Sequence, residues 1–157
     1  MSQLTGKAEF RRYTAVDGIS IELRELEKKD LSGLSLWTMA RIWEQSQVAI
    51  TMVVGDTIVA TMGILVDEFK QASAWIQTSD HIFKYQKSFY KKVKQELEKA
   101  FEELDIIRAQ TTVLVDNETS AKFVERLGFE REGTMRSCFH NALDRHIYAR
   151  LNHGRIN

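Results

Sequence analysis

Between Ala72 and Val115 the sequence changes period twice. Ala72 to Thr78 reads as a strand. Phe89, Val93, Leu97 and Phe101 then recur at every fourth position, which stacks them on one helix face with Lys and Glu opposite. This predicts the longest helix, over about Gln86 to Leu104, before Ile107 to Val115 becomes strand-like again. A strand feeding a long helix that returns to a second strand closes as a parallel pair with a right-handed crossover. The strands around Trp75 and Val113 are therefore expected to be parallel neighbours.

The remaining segments fit around that unit. Ile19, Ile21 and Leu23 alternate with Ser20, Glu22 and Arg24, the period of a half-buried strand. Asp30 is placed to cap a helix over about Leu31 to Gln45, where Leu34, Trp37, Arg41 and Glu44 divide apolar from polar faces. Val48 to Val66 is rich in β-branched residues and is split by Gly55-Asp56, a pair suited to a tight hairpin. Asn117 to Leu127 reads as a short helix stopped by Gly128, and two last strands are expected near Phe129–Met135 and Arg145–Leu151. The order β-α-β-β-β-α-β-α-β-β implies an α/β (α+β) chain, a twisted mixed sheet of about seven strands with helices on both faces. Nothing resembling a linker divides the 157 residues, so a single domain over 1–157 is expected, with its core at about 19–151.

Charge and cysteine usage narrow the function. Twenty-two basic residues balance twenty-two acidic ones, so the chain lacks the field that a dedicated nucleic-acid partner requires. Apolar stretches fall far short of the ~20 residues that span a bilayer, and MSQLTGKAEF has no apolar signal core. A cytoplasmic protein without a membrane partner is the expectation. The single cysteine, Cys138, reads as a small buried hydrophobe, while His140, His146 and His153 lack ligand spacing, so no metal is expected. Of Trp37, Trp43, Trp75, Phe83, Phe89, Phe101, Phe123 and Phe129, most fall at core-facing spacings, which favours core packing over base stacking.

The segment NETSAKFVERLGFEREGTMR, Asn117 to Arg136, resembles the closing motif of the GNAT superfamily of N-acetyltransferases, and most closely the branch that acetylates ribosomal-protein N-termini. Asn117, Ser120, Glu125-Arg126, Gly128-Phe129 and Glu132-Gly133 carry the likeness. IELRELEKKDL, VVGDTIVATMGIL and DRHIYARL resemble the family's first strand and helix start, its central hairpin and its last strand. The resemblance implies a GNAT fold whose fourth and fifth strands splay to admit acetyl-CoA as co-substrate. It also implies direct acetyl transfer to a primary amine, on a peptide or protein N-terminus or a small molecule.

One segment departs from the family. The glycine-rich loop that holds the pyrophosphate is replaced by TSDHIFKYQKSFYKK, which contains no glycine. WIQTSDHIFK is instead similar to GNAT-like proteins of short-tailed bacteriophages, some associated with virion assembly. The enzyme reading is preferred. The alternative is a non-catalytic phage module whose partners are virion structural proteins, located in the host cytoplasm or the virion; a homodimer is open in either case.

By the resemblance, acetyl-CoA lies against Ile76 and Gln77, against Lys84, Tyr85, Gln86, Lys87 and Ser88 at the start of the long helix, and against Asn117 and Ser120. Asn117 would hold the pantetheine arm and Ser120 would protonate the departing thiolate. Capping of the helix alone would also account for both residues. The phenol that many relatives place one turn later is Val124 here. Lys84, Lys87, Lys91, Lys92 and Lys94 crowd the start of the long helix and Glu96, Glu98, Glu102 and Glu103 its end, against the helix dipole. That order points to anion binding as much as to a solvated charged face. A base must also neutralise the amine; His81 and Glu22 are the candidates, with Asp80 read as a helix cap.

Overall fold

A computed structural model of the chain describes residues 3–152. His153 therefore lies outside the described residues. The elements in chain order are β1 (Glu9–Arg12), α1 (Ala15–Ser20), α2 (Glu25–Leu31), α3 (Leu36–Glu44), β2 (Val48–Val54), β3 (Thr57–Val66), β4 (Gln71–Thr78), α4 (Ile82–Glu103), β5 (Arg108–Leu114), α5 (Glu118–Arg126), β6 (Glu130–Cys138) and β7 (Leu143–Leu151).

The strands form one mixed seven-stranded sheet in the order β1-β2-β3-β4-β5-β7-β6. Its parallel contact, β4 with β5, joins the two strands flanking the long helix, as the change of period predicts. That contact is short. Gln71, Ala72 and Ser73 pair with Arg108, Ala109 and Gln110, and the pairing stops there, so the strands part toward their C-terminal ends.

Packing on the two faces differs. Phe89, Val93, Leu97 and Phe101 of α4 are buried with Val124 of α5 and Met52, Val54, Met62 and Ile64 of the sheet. A smaller cluster of Tyr13, Ala49 and Trp75 lies with Trp43, whose ring stacks on that of Trp75 at 4.8 Å. Gly63 permits this: a Cβ there would stand 2.3 Å from the Trp75 ring. Trp37, by contrast, is 47% exposed.

Three expectations are corrected. Ile19 is not in a strand, because α1 covers Ala15–Ser20 and Ile21 to Arg24 is a connector. The first strand is β1, earlier in the chain, and its partner is β2, with Arg12 opposite Ile50. The physical reason is the Thr14–Asp17 capping pair, in which the Thr14 amide donates to the Asp17 carboxylate at 3.0 Å and starts a helix where apolar alternation suggests a strand. Asp30 does not cap α3: it lies in the last turn of α2, and Ser35 caps α3 by accepting from the Thr38 amide at 3.3 Å. Asp80 likewise is no side-chain cap, since its carbonyl accepts from the Phe83 amide at 3.4 Å while α4 opens at Ile82 without a side-chain cap bond.

The second half follows its local signals closely. Asn117 caps α5, its Oδ1 accepting from the Ser120 amide at 3.2 Å. Gly128 ends that helix at φ +93°, in the left-handed region where a side chain is strained. Among the described residues no helix is long and apolar enough to cross a membrane.

Candidate active site

Where β4 and β5 part, a cavity of about 410 Å³ opens. Its walls are Ile76 and Thr78 of β4, Ile82, Gln86 and Tyr90 of α4, Thr111 to Leu114 of β5, the start of α5 with Asn117 and Ser120, and Arg24, Glu27 and Asp30 around α2. Strand divergence makes the opening and three helices close it.

The edge of β4 facing this gap carries main-chain groups without a strand partner. Thr78 donates its N–H to Glu27 at 2.6 Å and accepts at its carbonyl from the Arg24 amide at 3.2 Å, so its peptide groups face away from β3. The β3–β4 register runs without a shift from Ala72 to Thr78, and alternation in an antiparallel ladder therefore turns the N–H of Ile76 toward the gap as well. A carbonyl oxygen entering there meets a donor.

On the opposite wall, Asn117 is buried and fixed by its cap bond to Ser120. The Ser120 hydroxyl lines the cavity and makes no hydrogen bond among the described residues. Val124, also on the lining, adds apolar surface there.

Ile76, Gln86, Asn117 and Ser120 are thus brought together, whereas the other residues expected to contact cofactor or substrate are not on the lining. The Gln77 side chain points to the other face of the sheet, donating to the Gly18 carbonyl at 3.2 Å and accepting from Thr61 at 2.9 Å. Lys84 donates to the Leu4 carbonyl at 2.6 Å, and the Tyr85 hydroxyl to the Gly6 carbonyl at 3.0 Å. Lys87 and Ser88 are exposed on the outer surface of α4, Glu22 is exposed in the connector before α2, and His81 stands at the start of α4 off the cavity.

The start of α4 departs from an anion cradle in a second way. The amides of Ile82, Phe83 and Lys84 donate to the carbonyls of Ser79, Asp80 and His81 at 3.1, 3.4 and 3.1 Å, and the helix is kinked at Tyr85, with φ −115° and ψ 18°. Amides closing local turns are not free to meet a phosphate. Lys92 pairs with Glu96 at 3.0 Å, so part of the lysine run is a paired surface face.

Sequence reasoning does not single out Glu27, which the fold brings to the site. Burial pushes its carboxyl up from 4.5 to about 7, against the hydrogen bonds from the Thr78 hydroxyl and amide and the charge of Arg24, with Asp30 adding to the upward push. Asp30, one turn on, accepts from Arg145 at 2.7 Å, and Arg145 is itself buried and further bonded to the carbonyls of Cys138 and Leu143. This clasp ties α2 to the β6–β7 turn. No local signal in ELEKKD sets Glu27 apart from Glu25, because what distinguishes it is Thr78, 51 residues away.

Cys138, expected to be buried, is half-buried, with its sulfur 4.0 Å from that of Met135. No group of three or more His, Cys, Asp or Glu side chains suited to a metal ion occurs among the described residues.

No family model and no curated protein matches this sequence. Solved structures match it in shape. A GNAT-family acetyltransferase from Bacillus anthracis superposes with a TM-score of 0.68 at 13% identity, over 94% of this chain and 97% of that one. The ribosomal-protein-S5-alanine acetyltransferase from Vibrio fischeri gives 0.67 at 15% identity, over 93% of each chain. The microcin C7 self-immunity acetyltransferase MccE, solved in complex with acetyl-CoA and AMP, gives 0.58 at 17% identity over 67% of this chain and 61% of its own. With a parallel β4–β5 contact that splays over a cavity, the chain has the GNAT acetyltransferase fold.

Proposed function

We propose that this protein is an acyl-CoA-dependent N-acetyltransferase that moves an acetyl group from acetyl-CoA to a primary amine. The observation that carries the reading is the cavity in the β4–β5 splay, with the Ile76 N–H turned toward it on one side and the Asn117 and Ser120 side chains on the other. A thioester arm fits such a gap: Asn117 offers a fixed amide, Ile76 a donor for the acyl oxygen, and Ser120 a hydroxyl near the departing sulfur. Collapse toward product transfers a proton from nitrogen to the thiolate, and the Ser120 hydroxyl, beside Asn117 on the lining, is a donor for that step.

The pyrophosphate is the point of departure. With the first amides of α4 closing turns and Lys84 held by Leu4, cationic side chains at the cavity, Arg24 before α2 and Lys122 and Arg126 of α5, are the groups left to meet it. The same observation favours the second reading, a GNAT-fold assembly module that binds no CoA. Calorimetry with CoA separates the two, since the module produces no heat of binding. For the enzyme, Ser120→Ala lowers thiol release from acetyl-CoA more than it lowers CoA affinity, because the hydroxyl acts as the sulfur leaves. Equal turnover in Ser120→Ala and parent would remove the Ser120 hydroxyl from the transfer step.

A further inference from the structure

We infer that Glu27 is the group that takes the proton from the acceptor's ammonium, an inference that rests on the acetyltransferase reading. Three observations lead to it. Glu27 lines the cavity, and its carboxylate is fixed by the amide and hydroxyl of Thr78 at the C-terminal end of β4, beside the gap that would receive the thioester. The other carboxylates on the lining are poorly placed to accept a proton there: Asp30 is tied to Arg145, and Glu118 is exposed at the start of α5. Neither His81 nor Glu22 reaches the cavity wall.

The charged groups around Glu27 are Arg24 and Asp30 at the two ends of α2, Arg145 behind Asp30, and Glu118, Lys122 and Arg126 of α5 on the same cavity. Burial is the largest influence and makes the carboxyl a neutral-range acid. A base poised near the working pH combines adequate ionisation with adequate proton affinity.

The chemistry balances. The Glu27 carboxylate removes one proton from R–NH3+ and leaves R–NH2. The nitrogen lone pair then forms the C–N bond to the acetyl carbon as the C–S bond breaks, with its electron pair departing on sulfur. The remaining excess proton on nitrogen passes to that thiolate, and Glu27 returns its own proton to water. The net change is one amide, one thiol and one released proton.

A titration that needs no acceptor, combined with a rate measurement that does, tests this role. Side-chain 13C-carboxyl spectra of the parent, assigned by difference from Glu27→Gln, are followed with pH in the presence of CoA, and a Glu27 midpoint in the neutral range is expected. Thr78→Val removes a hydrogen bond to the ionised form, so the midpoint rises. Thiol release is then measured with an alanine-initiated peptide and with spermidine as amine probes. Glu27→Gln is expected to lower kcat/KM at pH 8 by about 10²- to 10⁴-fold and to abolish the acidic limb of the profile, with CoA binding by calorimetry unchanged. In Thr78→Val the acidic limb moves up together with the carboxyl midpoint, which a purely structural role would not produce. A Glu27 midpoint in the ordinary carboxylate range overturns the inference, as does an acidic limb that persists in Glu27→Gln. Absence of CoA binding in the parent overturns the acetyltransferase reading itself, and is recognised as such because it needs neither variant nor acceptor.

Discussion

Asp17 on α1 and Glu27 on α2 are both withdrawn from water, yet their surroundings drive them in opposite directions. Asp17 is 4% exposed, and burial pushes its carboxyl up. Arg11 at 2.6 and 2.8 Å, the Thr51 hydroxyl at 2.8 Å and the Thr14 amide at 3.0 Å outweigh that push and hold it below the usual carboxylate range. Glu27 receives two donors, both from Thr78, and among the described residues no bonded cation, so burial prevails. A guanidinium within hydrogen-bonding distance is the difference. It makes Asp17 a fixed anion that joins β1, α1 and β2, and its absence leaves Glu27 able to change charge near neutrality.

The largest effect is expected where that fixed anion is removed. Asp17→Ala leaves the Thr51 hydroxyl and the Thr14 amide without their acceptor and Arg11 without its partner, and is expected to cost about 2–4 kcal/mol in urea denaturation. Because the folded carboxyl lies below its unfolded value, its stabilisation is present above about pH 4 and is lost as pH falls through the folded pKa. Asp17→Asn should therefore flatten the acid limb of the stability profile. An unchanged limb would mean that Asp17 is not the fixed anion described.

Glu27→Gln should have the opposite sign. The folded carboxyl is raised, so in the parent it holds a proton that the unfolded chain has released, and stability falls as pH rises from about 4.5 to about 7. The amide carries no such dependence. At pH 8 the variant is expected to be more stable than the parent by about 1–3 kcal/mol, with the gap closing toward pH 5. Thermal melts at both pH values check this, and a variant less stable than the parent at pH 8 would contradict the assigned environment.

The smallest effect sharpens the contrast. Arg11→Lys keeps the charge but not the two-pronged contact, and because the Arg11 side chain is 46% exposed a loss of only about 0.5–1 kcal/mol is expected. Its carboxyl-resonance spectrum should show Asp17 moved upward and Glu27 unmoved. Movement of both would show that the two regions are electrostatically coupled.

Much of the architecture is legible in the sequence because it rests on neighbours in the chain. The four-residue spacing of Phe89 to Phe101, the turn at Gly55-Asp56, the Asn117 cap and the Gly128 stop each act within a few residues, and each is found where the sequence places it. The strand expected at Ile19 gives way for an equally local reason: Thr14 and Asp17 form a capping pair, and the helix it starts overrides the apolar alternation that follows. Half of the site is readable in the same way, since Asn117 and Ser120 belong to one motif on one helix turn.

The other half depends on segments distant in the chain. Tertiary packing decided that Gln77 faces α1, that Lys84 meets the N-terminal segment, and that Glu27 meets Thr78. Local sequence determines backbone period, caps and turns because those interactions close within one or two helical turns. The protonation of a carboxylate depends on how much water and which charges remain around it after folding, and those neighbours come from segments far apart in the chain.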